Sequence, residues 1–194
     1  ELYKDSMGVL VFVGIFVTGG FLIAYGQYLL AWESTHFDFI LSSNIGILNY
    51  FKAKYFLLVI PTLILYFFTI PYMYFGMKIF WVNFAALFYN LGVNAPLLLF
   101  MSTYNKKRMD LSKGAMMNYQ GVGVNNFILV LPLLAFPAII YTIINLVFGY
   151  LAAVLVIGGL GVLGLLFNQS LIKIAVKQFE KKRYQIAEGY RQKG

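Results

Sequence analysis

Long uninterrupted apolar runs are the feature of this sequence that most limits what it can fold into. A bilayer core about 30 Å thick requires roughly 20 apolar residues in an α-helix, and five runs reach that length. They cover about residues 7–30, 55–75, 79–101, 126–147 and 149–170. Only 11% of the 194 residues are charged, whereas a soluble domain carries about 25%. The sequence therefore predicts an all-α fold, a polytopic membrane helix bundle with about five transmembrane helices.

The chain is expected to form one unit. No linker, low-complexity tract or internal repeat divides it, so residues 1–194 are treated as a single transmembrane domain. The first residue is Glu1, and we expect the sequence to be the C-terminal fragment of a longer chain. The sequence has no cysteine, which excludes disulfides, thiolate catalysis and cysteine-based metal sites.

The positions of the basic residues predict an orientation. With five spans, the segments 31–54 and 102–125 and the C-terminal tail share one side, which holds thirteen of the fifteen Lys and Arg residues. Lys4 and Lys78 fall on the other side. Basic residues near helix ends stay in the cytoplasm, so the C-terminus is predicted to be cytoplasmic. The net charge of +8 is explained by basic side chains at the lipid surface, and the sequence offers no domain for nucleic-acid binding.

The first connection on the basic side begins with the stretch LLAWESTHFDFIL, residues 29–41. Phe37, Ile40 and Leu41 recur at helical spacing, which predicts a short amphipathic helix at the cytoplasmic membrane surface. We expect Ser34 or Thr35 to cap that helix. Such an element is suited to contact with a soluble partner.

An enzymatic interpretation of the same stretch depends on Glu33, His36 and Asp38. A metal site usually needs three or four ligands, and His36 is the single histidine of the sequence. Glu33 and Asp38 would lie on different faces of a helix, and no partnered nucleophile is recognisable. We therefore predict no catalytic residue, no metal and no cofactor.

Two residue patterns inside the predicted spans bear on how the helices pack or on a path for a substrate. Asn83, Asn90 and Asn94 fall within about 40° on one helix face. They form either a polar stripe along a substrate path or hydrogen-bonded contacts between helices. Small residues at Gly158, Gly161 and Gly164, and again at Gly14 and Thr18, predict close helix approach.

Two segments near the basic side are predicted to be helical as well. The loop after the third span contains a short helix from about Asp110 to Tyr119. The C-terminal segment continues the fifth span as a basic amphipathic helix. Its apolar face carries Ile172, Val176 and Phe179, and its basic face carries Lys173, Lys177 and Lys181.

The series GQYLLAWESTHFDFIL, NYFKAKYFLLVIP, YNLGVNAPLLLFMSTYNKKRMDL and KQFEKKRYQIAEGYR resembles the C-terminal part of an uncharacterised bacterial multi-pass family described as permease-like. That family is similar to the membrane subunits of ATP-binding-cassette (ABC) exporters of the second type. The resemblance implies a permease in the bacterial inner membrane that works as a homo- or heterodimer. It further implies a coupling helix within residues 31–54 that contacts a separate ATPase subunit. The expected contact residues are Trp32, Glu33, His36, Phe37 and Asp38.

The sequence has no phosphate-binding loop, so an ATPase that powers this chain would be a different protein. The leading hypothesis is accordingly a permease subunit of an ABC-type exporter. The alternative is a scaffold that does not transport and binds partner proteins through its basic cytoplasmic face. A membrane enzyme that uses His36 is the third hypothesis.

Overall fold

The computed structural model describes residues 7–43, 45–109 and 124–191, and all regular structure within them is helical. The described residues form eight α-helices, and short 3₁₀ or π segments lie between some of them. The α-helices are α1 (Met7–Gly26), α2 (Phe37–Ser42), α3 (Ile47–Thr69), α4 (Met77–Tyr89), α5 (Ala95–Ser102), α6 (Val124–Phe148), α7 (Tyr150–Leu166) and α8 (Asn168–Arg191). Two 3₁₀ helices span Ala31–His36 and Ile70–Phe75, and a π-helical turn spans Asn90–Asn94. The all-α prediction is confirmed for these residues.

Several of the helices are long and apolar enough to cross a membrane. Four helical stretches meet that condition, Val9–Ser42, Ile47–Phe75, Met77–Ser102 and Leu131–Phe148. The bent pair of α7 and α8 makes a fifth if it is taken as one span. These bounds are compatible with a helical membrane bundle of the predicted size.

Large apolar side chains cover the outside of the bundle. On α3, Phe56, Phe67 and Phe68 are 58%, 65% and 71% exposed, and α6 presents Leu131 and Leu146 in the same way. Soluble monomers rarely leave contiguous apolar surface of this kind in water. The exposed surface is therefore of the type that lipid covers.

The chain reverses at two glycines at one end of the bundle. Gly76 (φ +146°) separates the 3₁₀ helix Ile70–Phe75 from α4, and Gly149 (φ +83°) separates α6 from α7. Positive φ is costly for residues with a Cβ, so glycine suits both turns. The predicted breaks between the second and third spans and between the fourth and fifth spans are confirmed, and they fall at these two glycines. We call this end the opposite end, and the end formed by residues 27–43, 45–54 and 103–109 and α8 the basic end.

Glycines bring α4 and α7 into backbone contact near the middle of the bundle. A Cβ added at Gly161 would collide with the backbone of Phe88, and one at Gly164 would collide with the backbone of Gly92. The close approach predicted at Gly161 and Gly164 is confirmed, and Gly158 makes a looser contact with Ala85. Helices in lipid associate through such small-residue contacts.

Two predicted bounds differ from the structure. Helix α3 begins at Ile47 rather than near residue 55, so the basic connection is shorter than 31–54 and Lys52 and Lys54 lie on a helix. Helix α7 ends at Leu166, and α8 turns by 66° instead of continuing it. The bend lets the apolar face of α8 pack under α5 and α3. The predicted helix from Asp110 to Tyr119 lies outside the described residues.

Candidate functional site

The predicted interfacial element is built from two short helices at the basic end. The chain leaves α1 through a turn, forms the 3₁₀ helix Ala31–His36, and continues as α2. The predicted cap by Ser34 or Thr35 is wrong, because α2 has no side-chain cap and His36 occupies the N-cap position. Ser34 instead accepts a hydrogen bond from the backbone N–H of Met109 at 3.2 Å. That bond ties the segment to residues 103–109.

Glu33 joins this segment to α3. Its carboxylate accepts hydrogen bonds from the Lys54 ammonium and the Tyr50 hydroxyl, both at 2.5 Å. The Lys54 side chain is 6% exposed and the Glu33 side chain 37%. A buried ammonium requires a counter-charge because transfer of an isolated charge from water is expensive. The pair therefore fixes the distance between the 3₁₀ helix and α3.

Trp32 joins the segment to α1. Its indole stacks on the Tyr25 ring with centroids 5.4 Å apart, and Tyr25 stacks on Phe21 at 5.1 Å. The Trp32 Nε1 atom is buried and has no hydrogen-bond acceptor in the described part of the chain. The side chain thus acts here through ring contact.

Phe37 and Asp38 join the segment to α8. The fully buried Phe37 ring meets Tyr190 edge to face at 5.0 Å and Phe179 at 6.0 Å. Asp38 accepts two hydrogen bonds from the Arg191 guanidinium, at 2.7 and 3.0 Å. Those bonds hold the pKa of the Asp38 carboxyl below its usual range. Helix α8 therefore covers the inner face of α2.

His36 and Phe39 remain free at the surface of the segment. Both side chains are exposed, Phe39 at 69%. Glu33 and Asp38 pair with Lys54 and Arg191, so the structure does not join them to His36 in an acid–base cluster. Among residues 7–43, 45–109 and 124–191, no three His, Asp or Glu side chains form a group that could hold a metal ion.

A second set of contacts fastens α8 to residues 103–109. The Tyr190 hydroxyl donates to the Asn105 carbonyl at 3.1 Å, and Lys106 donates to Gln185 at 3.0 Å. Gly189 lies so close to the Lys106 backbone that a Cβ would collide with it. The predicted faces of α8 are confirmed, with Ile172 and Phe179 buried, Val176 half-buried, and Lys173, Lys177 and Lys181 exposed.

Sequence reasoning missed the residues that position the segment. Lys54 and Tyr50 lie in the segment that the sequence predicts as a connection, and the sequence marks Arg191 only as a basic residue. The helical period of α8 gave a signal for Tyr190, because positions 179, 186 and 190 continue one face. No local signal pairs Asp38 with Arg191, which lies 153 residues away.

Two of the three predicted asparagines link helices in the middle of the bundle. Asn90 donates to the Ile15 carbonyl at 3.0 Å and to the Thr18 hydroxyl at 2.9 Å, both on α1. Asn94 donates to Asn90 at 2.8 Å. These are the contacts expected of helix packing. Asn83 is separate from them and faces a crevice at the opposite end.

The π turn between α4 and α5 accompanies this network. Residues Asn90–Asn94 form the wide turn, and the Leu91 carbonyl accepts a hydrogen bond from the Tyr55 hydroxyl of α3 at 3.0 Å. A π turn disturbs the regular backbone hydrogen bonding of a helix, and side chains of neighbouring helices then satisfy the freed groups. The turn thereby joins α3 to the α4–α5 helix.

Comparison with known proteins gives one match. A family model described as "Family of unknown function (DUF5687)" matches residues 1–193. No curated protein and no solved structure matches the chain.

Proposed function

The chain belongs to DUF5687, a family of unknown function, and we propose that it is a membrane-spanning permease subunit of an ATP-driven, ABC-type exporter. The observation that supports this proposal is the fastening of residues 31–42 to three helices at once. Glu33 is bonded to α3, Trp32 is stacked on α1, and Phe37 is packed under α8. The exposed side of the same segment is left for a partner.

This arrangement is suited to carrying a displacement into the bundle. A force applied at α2 reaches α3 through the Glu33–Lys54 pair, because a short charge-assisted hydrogen bond resists stretching. It reaches α8 through the packed ring of Phe37 and then α7, which α8 follows directly. Helices α3 and α7 both contact α4, as α1 does. ATP-driven closure of a partner dimer could thus change access along the α4–α5 helix.

The proposal includes a location and partners. The basic end faces the cytoplasm of a bacterial inner membrane, with the C-terminus on that side, because thirteen basic residues follow the positive-inside pattern. The partners are the lipid bilayer, a separate ATP-binding-cassette ATPase, and a second permease domain in a homo- or heterodimer. We propose no cofactor and no catalytic role for His36.

The first experiment is purification of the full-length protein from its native membrane in mild detergent, with a test for a co-purifying ATPase. The variant pair His36→Ala and Phe39→Ala removes exposed side chains of the segment. Tyr74→Ala, at an 89% exposed position of the opposite end, is the matched control. We expect the pair to reduce the retained ATPase and the control to retain it. A preparation without ATPase, or equal retention in both, would contradict the proposal.

A charge exchange separates contact with the partner from the internal ion pair. Asp38→Arg is expected to insert normally and to lose transport coupling. If the double variant Asp38→Arg, Arg191→Asp restores transport, the role of Asp38 is to hold α8 in place. If the double variant stays uncoupled, Asp38 itself contacts the ATPase. Normal transport by Asp38→Arg alone would count against a coupling segment.

A scaffold is the second candidate, and the outer face of α8 favours it. Lys173, Lys177 and Lys181 are all exposed, whereas Lys182 lies 3.3 Å from the centre of the Tyr104 ring. Neutralising these three exposed lysines tests the scaffold without disturbing the contact of Lys182 with Tyr104. Loss of all partner proteins from the triple variant, with no ATPase among them, would favour the scaffold over the permease.

A further inference from the structure

An apolar crevice opens at the opposite end of the bundle, far from the predicted ATPase contact. It lies between α1, the end of α3 with its 3₁₀ extension, and α4, and its volume is about 180 Å³. Val13 and Val17 of α1 and Val82 of α4 form apolar walls, and Thr69 and Asn83 add polar groups. No charged side chain of the described residues lines it.

Asn83 is the buried polar residue of the crevice that lacks a hydrogen-bond partner in the described part of the chain. The side chain is 8% exposed and lines the crevice, yet it makes no hydrogen bond within the described part of the chain. Its amide oxygen lies over α1 at Gly14, where a Cβ would come within 2.9 Å of it. Asn90 and Asn94, by contrast, are bonded to one another and to other helices. An amide without a partner is unfavourable in hydrocarbon, because no water compensates it there.

The depth of Asn83 matches a lipid-like molecule. Asn83 lies six residues after Met77, the first residue of α4, which places it about 9 Å along the helix axis from the opposite end. The amide can both donate and accept a hydrogen bond. The Thr69 hydroxyl donates to the Tyr66 carbonyl at 2.7 Å, and its oxygen can still accept. An uncharged head group fits these partners, because no described residue that lines the crevice carries a charge to pair with a charged one.

We infer that this crevice binds an uncharged amphiphile from the bilayer, with its hydrocarbon chain against Val13, Val17 and Val82 and its hydroxyl or carbonyl group on Asn83. The site does not depend on ATP coupling, so the inference stands apart from the proposed function.

The test uses the full-length protein in lipid nanodiscs with three photoreactive probes. The first is a diacylglycerol with a diazirine in one acyl chain, the second a diazirine alkane without a head group, and the third a phosphatidylglycerol with the same acyl diazirine. Cross-linked positions are mapped by mass spectrometry. We expect the diacylglycerol probe to concentrate on residues 10–17 and 79–83. Equal labelling of the lipid-facing surfaces of α3 and α6 would mean annular lipid only and would overturn the inference.

Two variants and a control sharpen the test. Asn83→Leu keeps the size of the side chain and removes its hydrogen bonds, so diacylglycerol labelling should fall about fivefold while alkane labelling is kept. Val13→Trp fills the crevice and should reduce labelling by the diacylglycerol probe and by the alkane probe, which keeps the test valid if Asn83→Leu folds poorly. Phe68→Trp, on the lipid-facing side of α3, should leave labelling by these two probes unchanged. Unchanged labelling of Asn83→Leu, or a preference for phosphatidylglycerol, would refute the uncharged head group.

Discussion

At the scale of single residues, the surroundings of Lys54 explain how the basic end holds its shape. Its ammonium is nearly out of contact with water and is matched by Glu33 alone among the described acidic residues. Asp38 and Arg191 also form an ion pair, but both side chains are more than half exposed. The two pairs have equivalent chemistry and different burial. They should therefore differ in what they contribute to stability.

Glu33→Gln should lower the stability of the folded protein by about 2 kcal/mol, because it leaves the Lys54 ammonium buried without its counter-charge. Asp38→Asn should leave the thermal midpoint nearly unchanged, since an exposed pair is screened by solvent. Thermal unfolding in one detergent compares the two. The double variant Glu33→Gln, Lys54→Met should recover part of the loss. Equal midpoints for both single variants would show that Lys54 is not held by charge.

Asn90→Ala should destabilise the bundle by about 1 kcal/mol, because Thr18 and Asn94 each lose a buried hydrogen-bond partner. The same thermal measurement on Asn49→Ala, at an exposed position of α3, supplies the control. A midpoint for Asn90→Ala as high as that of the control would show that the amide contacts do not hold α1 to the π turn.

At the scale of helices, the packing of α7 against α4 depends on which positions of α7 are glycine. Gly161 and Gly159 are two residues apart on α7, but a Cβ at Gly161 would meet the Phe88 backbone and one at Gly159 would meet open space. A backbone atom cannot rotate away as a side chain can. The two positions therefore offer a matched comparison on one helix.

Gly161→Ala should separate α7 from α4 and lower the thermal midpoint clearly, at a cost of about 2 kcal/mol or more. Gly159→Ala should be neutral or slightly stabilising, because alanine favours the helix and meets nothing. The thermal midpoints of both variants, measured in the same detergent, test this expectation. If the two behave alike, the close approach of the helices does not limit side-chain size.

The sequence predicted where the helices lie better than it predicted how they pack against one another. Periodicity and apolar length located the helix breaks at Gly76 and Gly149 and the apolar face of α8, since these depend on nearby residues. The 66° bend after Leu166 depends on packing of α8 under α5 and α3, which no local pattern encodes. The π turn at Asn90–Asn94 was missed for the same reason, because Tyr55 and α1 support it from a distance.

At the scale of the whole molecule, the two ends of the bundle are unlike. The basic end carries the ion pairs, the α8 contacts and the exposed lysines, whereas the described opposite end consists of turns at Gly76 and Gly149 with exposed aromatic side chains. Tyrosine and tryptophan favour the headgroup layers of both leaflets, so they fit either orientation, whereas Lys and Arg favour the cytoplasmic side. The basic residues are therefore the basis of the proposed orientation.

Cysteine labelling tests that orientation directly, because the sequence has no cysteine of its own. Tyr74→Cys should react with a membrane-impermeant maleimide in intact spheroplasts, since Tyr74 is 89% exposed at the opposite end. Lys181→Cys, exposed on α8, should react only after the membrane is permeabilised. The reverse pattern would place the basic end outside and would remove the basis for a cytoplasmic ATPase.

The turns at Gly76 and Gly149 leave almost no chain between the helices that they join. A protease must thread an extended peptide through its cleft, and an antibody must close over a raised surface. Neither turn supplies such a segment, and Tyr72 suits immersion among lipid headgroups. Under the proposed orientation, these two turns should resist digestion in spheroplasts and raise few binding antibodies, so an epitope tag for affinity capture belongs at the basic end.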